Sequence, residues 1–300
     1  MSVYIAHKTM EAINASLKAD QGASYREWLG KVIPHIGDAY RGADPIPFRT
    51  HMGASGLGNE CDRAIWYGFR WAVKPTFDGR MLRLFNRGHL EEARFIALLL
   101  SIGCEVYQQD SSGKQYRISD AGGHLGGSGD GVVFNLPDLA PGTPALTEFK
   151  TASEKKFQEM QSKGLREANP TYYVQTQIYM GKMGFAVTLF MMVNKNNDEI
   201  YAELVVFNEQ VYEQFLNRGV TLVFTEQPPK KMNESAGFYK CKWCDHYGVC
   251  HKGEAPVKTC RSCHYSIPER DGTWTCNLNG KRVLNPVEQY EGCNQYERKF

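Results

Sequence analysis

The hydrophobic pattern of this 300-residue chain changes its period several times. Apolar residues recur three or four positions apart, as on one face of a helix, in residues 25–36, 80–100, 154–163, 171–183 and 209–224. They alternate with polar residues or form short apolar runs, as strands do, in residues 105–109, 115–119, 131–136, 146–150, 186–193 and 199–207. Strands interspersed with helices in this order predict an α/β (α+β) fold with a mixed central sheet flanked by helices.

Proline-rich and cysteine-rich segments divide the chain. A proline-punctuated stretch, ADPIPF, follows the first helical pattern, and the linker EQPPKKMNES precedes the cysteine-rich C-terminal part. We therefore predict an N-terminal helical arm over residues 1–54, a main domain over residues 55–252 and a small tail over residues 253–300. A further short helix is predicted just after Cys61, in CDRAIWYGFRW.

Composition excludes several classes of protein. Apolar residues make up 42% and charged residues 23% of the chain, which is typical of a globular protein. No apolar run approaches the roughly 20 residues that a membrane helix needs. The first residues lack the pattern of a secretory signal, so we expect a cytoplasmic protein without membrane contact. A net charge of +2 is too small to indicate nucleic-acid binding by itself.

The nine cysteines are concentrated at the C-terminal end. An odd number in a chain without an export signal favours metal thiolates over disulfides. One set of four, in a CxxC followed by two further cysteines, predicts a Zn²⁺ site: Cys260, Cys263, Cys276 and Cys293. Cys241, Cys244 and Cys250 form a second group that lacks one ligand. A remote cysteine completes it in one interpretation, and His246 or His251 completes a second zinc site in the other.

The most informative polar residues surround two predicted strands. Asp130 precedes one strand, and Glu148 and Lys150 lie on one face of the next because they are two residues apart. Two carboxylates, a backbone carbonyl and water suit Mg²⁺ or Mn²⁺, and Lys150 would then face the same phosphate as the metal. The alternative is a pair of surface carboxylates beside a surface lysine.

A third acid comes from the helix predicted over residues 80–100. A helical wheel places Glu92 on the apolar side with His89, opposite a row of exposed arginines. A buried carboxylate needs a partner, so we expect Glu92 to bind a metal, with His89 as an accessory group. Gln175 and Tyr179 adjoin on a later helix face and can orient the other groups.

Taken together, these motifs resemble the PD-(D/E)xK nuclease superfamily, in its RecB-like and Cas4-like exonuclease branch. They occur in the order GxxxE, GD, EFK and QxxxY over residues 88–179. The resemblance implies a restriction-endonuclease-like fold over residues 55–252. It also implies that Glu92, Asp130, Glu148 and the backbone carbonyl of Phe149 bind Mg²⁺ or Mn²⁺. Lys150 would assist catalysis, and Gln175 and Tyr179 would orient these groups.

The same resemblance implies an iron-sulfur cluster. Cas4-like nucleases place one cysteine before the nuclease motifs and three after them, and here Cys61 matches the first position. Cys61, Cys241, Cys244 and Cys250 would hold a [4Fe-4S] cluster as a clasp across the domain. Glu92 stands where Cas4-like proteins commonly have histidine, which is more similar to phage recombination exonucleases.

The sequence thus predicts a Mg²⁺- or Mn²⁺-dependent exonuclease that hydrolyses linear or single-stranded DNA ends in phage or bacterial recombination or repair. The alternatives are a structure- or sequence-selective endonuclease and a non-catalytic DNA-binding module with a vestigial nuclease site. Expected partners beyond DNA are a single-strand annealing or replication protein and further copies of the chain.

Overall fold

In the computed structural model, residues 3–42 and 44–300 are described. The helices in these ranges are α1 (His7–Ala19), α2 (Ala23–Val32), α3 (Asp62–Phe69), α4 (Gly79–Ser101), α5 (Glu154–Lys163), α6 (Leu165–Ala168), α7 (Pro170–Met183), α8 (Glu209–Phe224), α9 (Tyr239–Lys242), α10 (Tyr247–His251) and α11 (Pro286–Glu291). The strands are β1 (Met52–Gly53), β2 (Glu105–Tyr107), β3 (Arg117–Asp120), β4 (Leu125–Ser128), β5 (Gly131–Phe134), β6 (Ala145–Ala152), β7 (Val187–Asn194), β8 (Ile200–Val206), β9 (Ser266–Pro268), β10 (Trp274–Cys276) and β11 (Arg282–Leu284).

The chain folds into two units that each combine distant segments. Unit 1 comprises Met1–Ala43, Phe77–Ile118 and Ser128–Glu209, and unit 2 comprises Asp44–Thr76, Ser119–Gly127 and Gln210–Phe300. These units follow spatial contacts rather than chain order, so the domain boundaries at residues 54 and 252 stay predictions. The mixed α/β class is confirmed, with mixed sheets flanked by helices.

Unit 1 is built on a five-stranded mixed sheet in the order β2-β5-β6-β7-β8. Strands β6 and β7 run parallel, and the other neighbours are antiparallel. Three helices, α5 to α7, connect the parallel pair, as a parallel connection requires a crossover. Every residue of β7 is buried, which explains its continuous apolar run and makes it a central strand.

Helix α4 packs across this sheet through apolar contacts. Its C-terminal half is almost entirely buried and joins the main core of unit 1. The rings of Phe95 in α4 and Phe149 in β6 stack with centroids 5.1 Å apart. This contact holds α4 against β6 through the residue that lies between Glu148 and Lys150.

Unit 2 contains the C-terminal antiparallel sheet β11-β10-β9 and helix α11. Two buried arginines organise it, since Arg70 is 1% and Arg261 2% exposed. Their guanidinium groups lie 5.0 and 4.6 Å from the ring centroid of Trp274. Burial lowers the pKa of both guanidinium groups to about 9. Strand β1 pairs in parallel with β4, which in turn adjoins β3.

Within the described ranges, the helices are all too short or too polar to cross a lipid bilayer.

Candidate active site

Glu148 and Lys150 form the centre of a polar cluster in unit 1. Both lie in β6, two residues apart and on one face, and the Lys150 ammonium donates to the Glu148 carboxylate. The Glu148 side chain is 5% exposed and that of Lys150 is 21% exposed. The predicted shared face is therefore present, and the two groups form an ion pair at the edge of the core.

Asp130 reaches this pair from the neighbouring strand. It immediately precedes β5, which pairs with β6, and its Oδ2 accepts a hydrogen bond from the Phe149 backbone N–H at 2.9 Å. The next residue, Gly131, has φ +152°, and a Cβ there would lie 2.8 Å from the Tyr107 carbonyl oxygen. Only glycine fits this position without strain, so Gly131 sets where Asp130 lies. The carbonyl of Phe149 as a metal ligand stays a prediction.

Helix α4 contributes Glu92 and His89 to the same region. His89 Nδ1 lies 3.6 Å from Glu92 Oε1. The prediction that Glu92 faces the apolar core is wrong, because the buried acid of α4 is Glu91, at 6% exposure, whereas the Glu92 side chain is 27% exposed. Glu91 instead pairs with Arg94 at 3.2 Å. Glu92 lines a cavity, where a carboxylate can meet a ligand.

Helix α7 covers the other side of the cluster. Gln175 donates to both Glu148 oxygens, at 2.8 and 2.9 Å, and so holds the plane of that carboxylate. Tyr179 lies one turn further along, with its ring beside Gly129 and within a small cavity that Glu148 also lines. Sequence reasoning missed Tyr172, whose ring centroid is 5.2 Å from Lys150 Nζ. Its position three residues before Gln175, on the same helix face, was the available signal.

A cavity of about 370 Å³ opens onto these groups. Its lining includes His89, Glu92, Lys150 and Tyr172, and also Lys195, which the sequence motifs did not indicate. The cavity is large enough for part of an organic ligand, and its polar groups come from several elements of unit 1.

The electrostatics of this cluster are strongly perturbed. Burial, reinforced by Asp130, raises the pKa of Glu92 to about 8 although Lys150 opposes the shift. Burial also raises the pKa of Glu148 to about 7 and that of Asp130, again against Lys150. Burial alone would lower the pKa of Lys150, but Glu148 and Asp130 outweigh it and hold that pKa above its ordinary value. Lys150 thus opposes the raised pKa of all three carboxyl groups.

This excess of carboxyl groups suits a divalent cation. Carboxylate oxygens are the ligands that Mg²⁺ and Mn²⁺ prefer. Burial, together with the nearby Asp130, raises the pKa values of Glu92 and Glu148, so a cation would favour their ionised forms. Across residues 3–42 and 44–300, no three His, Cys, Asp or Glu side chains stand together as a ready-made metal site. The fit therefore rests on donor type, proximity and charge.

The cysteines of both predicted groups lie in unit 2. Burial raises the pKa of the Cys241 thiol, and Cys61 and Cys250 raise it further as electrostatic neighbours. The same two cysteines raise the pKa of Cys244. Cys61 precedes α3, far away in sequence, so the fold itself brings it to the other three. All nine cysteines are free thiols.

The second group lies around the C-terminal sheet. Burial raises the pKa of Cys260 to about 11, with contributions from its neighbours Cys263, Cys293 and Cys276. The Cys263 N–H donates to the Cys260 carbonyl at 3.0 Å, which closes the tight CxxC turn. Thiolates are typical donors of a zinc site, and the Zn²⁺ site in the tail stays a prediction from the sequence.

His246 and His251 were the alternative ligands for the first group. His246 Nδ1 and His251 Nε2 are both buried without a hydrogen-bond partner. Burial lowers the pKa of His246. The choice between Cys61 and a histidine as the fourth ligand of this group stays a prediction from the sequence.

Comparisons with known proteins give distant likenesses. No protein-family model matches the chain, and no curated protein matches its sequence. Among solved structures, SSO0001 is similar with 15% identity and a TM-score of 0.39, over 77% of this chain and 97% of that one. LHK-Exo, an alkaline exonuclease from Laribacter hongkongensis, has 13% identity and a TM-score of 0.39, over 66% of this chain and 90% of its own. Its complex with dAMP gives 12% identity, a TM-score of 0.38 and the same coverage. Because all three TM-scores lie below 0.5, neither fold nor activity is inferred from them.

Proposed function

We propose that this protein is a Mg²⁺- or Mn²⁺-dependent deoxyribonuclease that hydrolyses phosphodiester bonds at DNA ends. The observation that carries the proposal is the cluster of Glu92, Asp130, Glu148 and Lys150, in which Glu92 and Lys150 line one cavity and the pKa values of all three carboxyl groups are raised. Perturbed carboxyl groups in a cavity are characteristic of catalytic and metal-binding sites.

In this proposal, Glu92, Asp130, Glu148 and the Phe149 carbonyl hold the divalent cation. When bound, such an ion polarises a phosphodiester and lowers the pKa of water, which supplies a nucleophile near neutral pH. Asp130 is oriented by the Phe149 N–H, and Glu148 by Gln175. The protein thus fixes two ligands through hydrogen bonds from its own framework.

Lys150 acts as a cation rather than as a general base. Its raised pKa keeps a proton on Nζ throughout the physiological pH range. The ammonium can therefore donate a hydrogen bond to a phosphate oxygen and stabilise the charge that develops there. The Tyr172 ring beside it limits the directions in which the side chain can turn.

We also propose that unit 2 holds two metal centres. The proximity of Cys61 to Cys241, Cys244 and Cys250 supports a [4Fe-4S] cluster, which would connect α3 to the cysteines that follow it by about 180 residues. The neighbouring thiols Cys260, Cys263, Cys276 and Cys293 support a Zn²⁺ site in the tail. A role in recombination, an annealing partner and self-assembly stay predictions from the sequence.

The test compares end-labelled linear DNA with covalently closed circular DNA, using anaerobically purified protein with and without Mg²⁺ or Mn²⁺. We expect metal-dependent loss of linear DNA alone. Asp130→Asn should abolish it, because the amide removes the negative charge that the cation needs. Asp138→Asn is the matched control, since Asp138 caps α1 through the N–H groups of Lys8 and Thr9.

Three other outcomes would revise the proposal. Nicking of the circle would establish an endonuclease in place of an exonuclease. DNA binding without cleavage by the wild-type protein would indicate a binding module. Cleavage that persists in Asp130→Asn would show that the chemistry occurs elsewhere.

A further inference from the structure

Four basic side chains of unit 1 act on one another, and one of them, Lys195, lines the cavity. Lys195 lines the cavity together with Lys150 and Glu92, and the charges of Arg80, Arg87 and Lys156 act on it. These four residues, Arg80, Arg87, Lys156 and Lys195, are called the basic cluster. They come from α4, α5 and the turn after β7, so the fold rather than one charged helix face assembles them.

Backbone contacts hold the cluster in place. The Lys195 N–H donates to the Ala152 carbonyl at 2.9 Å, which fixes the turn after β7 against the end of β6. Arg87 Nη2 donates to the Lys195 carbonyl at 3.4 Å and so connects α4 to the same turn. Lys195 therefore has a defined place at the cavity mouth.

Neighbouring carboxylates balance part of this charge, since Arg87 acts on Glu91 and Lys156 acts on Glu159. Burial lowers the pKa of Lys195, and the charges of Arg87, Lys156 and Arg80 lower it further. Glu91 is engaged by Arg94, and Glu154 accepts hydrogen bonds from Asn194 and Gln158. Like charges held together cost free energy, so an anion bound at Lys195 would relieve the repulsion from its basic neighbours.

We propose that the basic cluster binds a phosphate next to the scissile one. The site would then act on polynucleotides and discriminate against single nucleotide esters, which have no second phosphate. This inference rests on the proposed nuclease function and adds the residues that select the length of the substrate. Lysine and arginine contacts to a nucleic-acid backbone supply affinity without reading sequence.

The experiment uses the full chain with a double variant, Lys156→Gln with Lys195→Gln. Lys163→Gln is the matched control, because Lys163 lies in α5 like Lys156 but is paired with Glu159 at 2.8 Å. Double replacement by arginine is the rescue variant, since it keeps both charges. Binding of a fluorescein-labelled single-stranded oligonucleotide is measured by anisotropy in Ca²⁺ over a range of salt, and kcat and KM are measured in Mg²⁺.

We expect the glutamine double variant to raise KM roughly tenfold or more while kcat changes little, because phosphate contacts outside the reacting centre contribute binding. The slope of log K against log salt should become shallower by about 0.7 for each phosphate that the variant no longer neutralises. The arginine variant should restore both values, and Lys163→Gln should match the wild-type protein.

If the wild-type protein cleaves DNA and the glutamine double variant behaves like Lys163→Gln, the phosphate-binding role of the basic cluster is contradicted. The proposed nuclease function is then unaffected. A fall in kcat at constant KM would also overturn it, since the lysines would then act in the chemical step. Absence of metal-dependent cleavage by the wild-type protein would overturn the nuclease function and this inference with it.

Discussion

Glu92 and Glu148 retain protons at pH values where an exposed glutamate is ionised, because burial and the other acids of the site penalise their charged forms. A bound cation would stabilise the ionised forms of these two carboxyl groups. Metal binding at this site should therefore release protons, and the protein without metal should bear the cost of ionising these groups.

Replacement of Glu92 by glutamine measures that cost. A carboxyl whose pKa rises from 4.5 to about 8 on folding destabilises the native state increasingly as the pH rises through that interval. Without added Mg²⁺ or Mn²⁺, Glu92→Gln should therefore be more stable than the wild-type protein at pH 8.5 by on the order of 2 kcal/mol, a figure reduced for partial solvent screening. The gain should disappear near pH 5, as followed by urea unfolding.

Glu27→Gln is the control for this titration. Glu27 is exposed and paired with Lys31, which lowers its pKa, so its effect on stability should not change between pH 5.5 and 8.5. Parallel pH profiles for Glu92→Gln and the wild-type protein would show that Glu92 is not perturbed.

Gln175 and Gln177 offer a second comparison of single residues. Both are buried in α7, but Gln175 contacts Glu148, whereas Gln177 contacts the backbone of Val206 and Asn208. Gln175→Ala should lower kcat about 10- to 100-fold with little change in melting temperature, since it removes hydrogen bonds to a charged acceptor at the site. Gln177→Ala should mainly lower the melting temperature. If Gln175→Ala mainly lowered the melting temperature and Gln177→Ala mainly lowered kcat, the role proposed for Gln175 would be contradicted.

At the scale of elements, the sequence predicts most helices and strands of unit 1, because the spacing of their apolar residues follows from burial of one side of each element. The predicted helices over residues 154–163 and 209–224 coincide with α5 and α8. The predicted helix over residues 25–36 ends early, at Val32, since Pro34 cannot donate a backbone hydrogen bond and a 3₁₀ turn follows. Strand β4, with the sequence LGGS, carries no alternating pattern that would reveal it.

The residues of the candidate site were predictable where their spacing along one strand or helix determines which way their side chains point. Glu148 and Lys150 share a strand face, and Gln175 reaches them from α7. Tyr172 and Lys195 were missed because an aromatic residue on a helix and a lysine after a strand have many ordinary explanations. Their roles depend on packing between elements, which sequence spacing does not encode.

Gly131 constrains the start of β5, directly after Asp130. In Gly131→Ala, the new Cβ would lie 2.8 Å from the Tyr107 carbonyl oxygen and 3.2 Å from Thr147 Oγ1, so the start of β5 must shift. We expect a loss of stability of roughly 1–3 kcal/mol together with reduced cleavage, because Asp130 precedes this position. Thermal unfolding and the cleavage assay measure the two effects.

Gly142→Ala is the control that separates backbone strain at a positive φ from displacement of Asp130. Gly142 also has a positive φ, +77°, but its Cβ would meet nothing within 4 Å. This variant should lose some stability and keep its cleavage rate. Equal cleavage by Gly131→Ala and Gly142→Ala would contradict the role given to Gly131.

On the scale of the whole molecule, unit 2 combines few apolar strands with two predicted metal centres. Cys61→Ser should remove the visible absorbance of a [4Fe-4S] cluster and lower the yield of soluble protein, because the proposed cluster would join Cys61, which precedes α3, to the three later cysteines. Cys104→Ser is the control, since Cys104 is a buried core thiol whose pKa burial alone raises. A colourless wild-type protein, or a coloured Cys61→Ser, would contradict the cluster.

The central claim is that the carboxyl groups around Lys150 form a metal-dependent centre for phosphodiester hydrolysis. Its most direct test is the single-turnover rate of cleavage of end-labelled linear DNA, with Mn²⁺ added or withheld, for the wild-type protein, Lys150→Ala and the control Lys163→Ala. We predict cleavage only with Mn²⁺, a loss of at least about a hundredfold in Lys150→Ala and none in Lys163→Ala. Cleavage without metal, or equal rates for the two lysine variants, would contradict the claim.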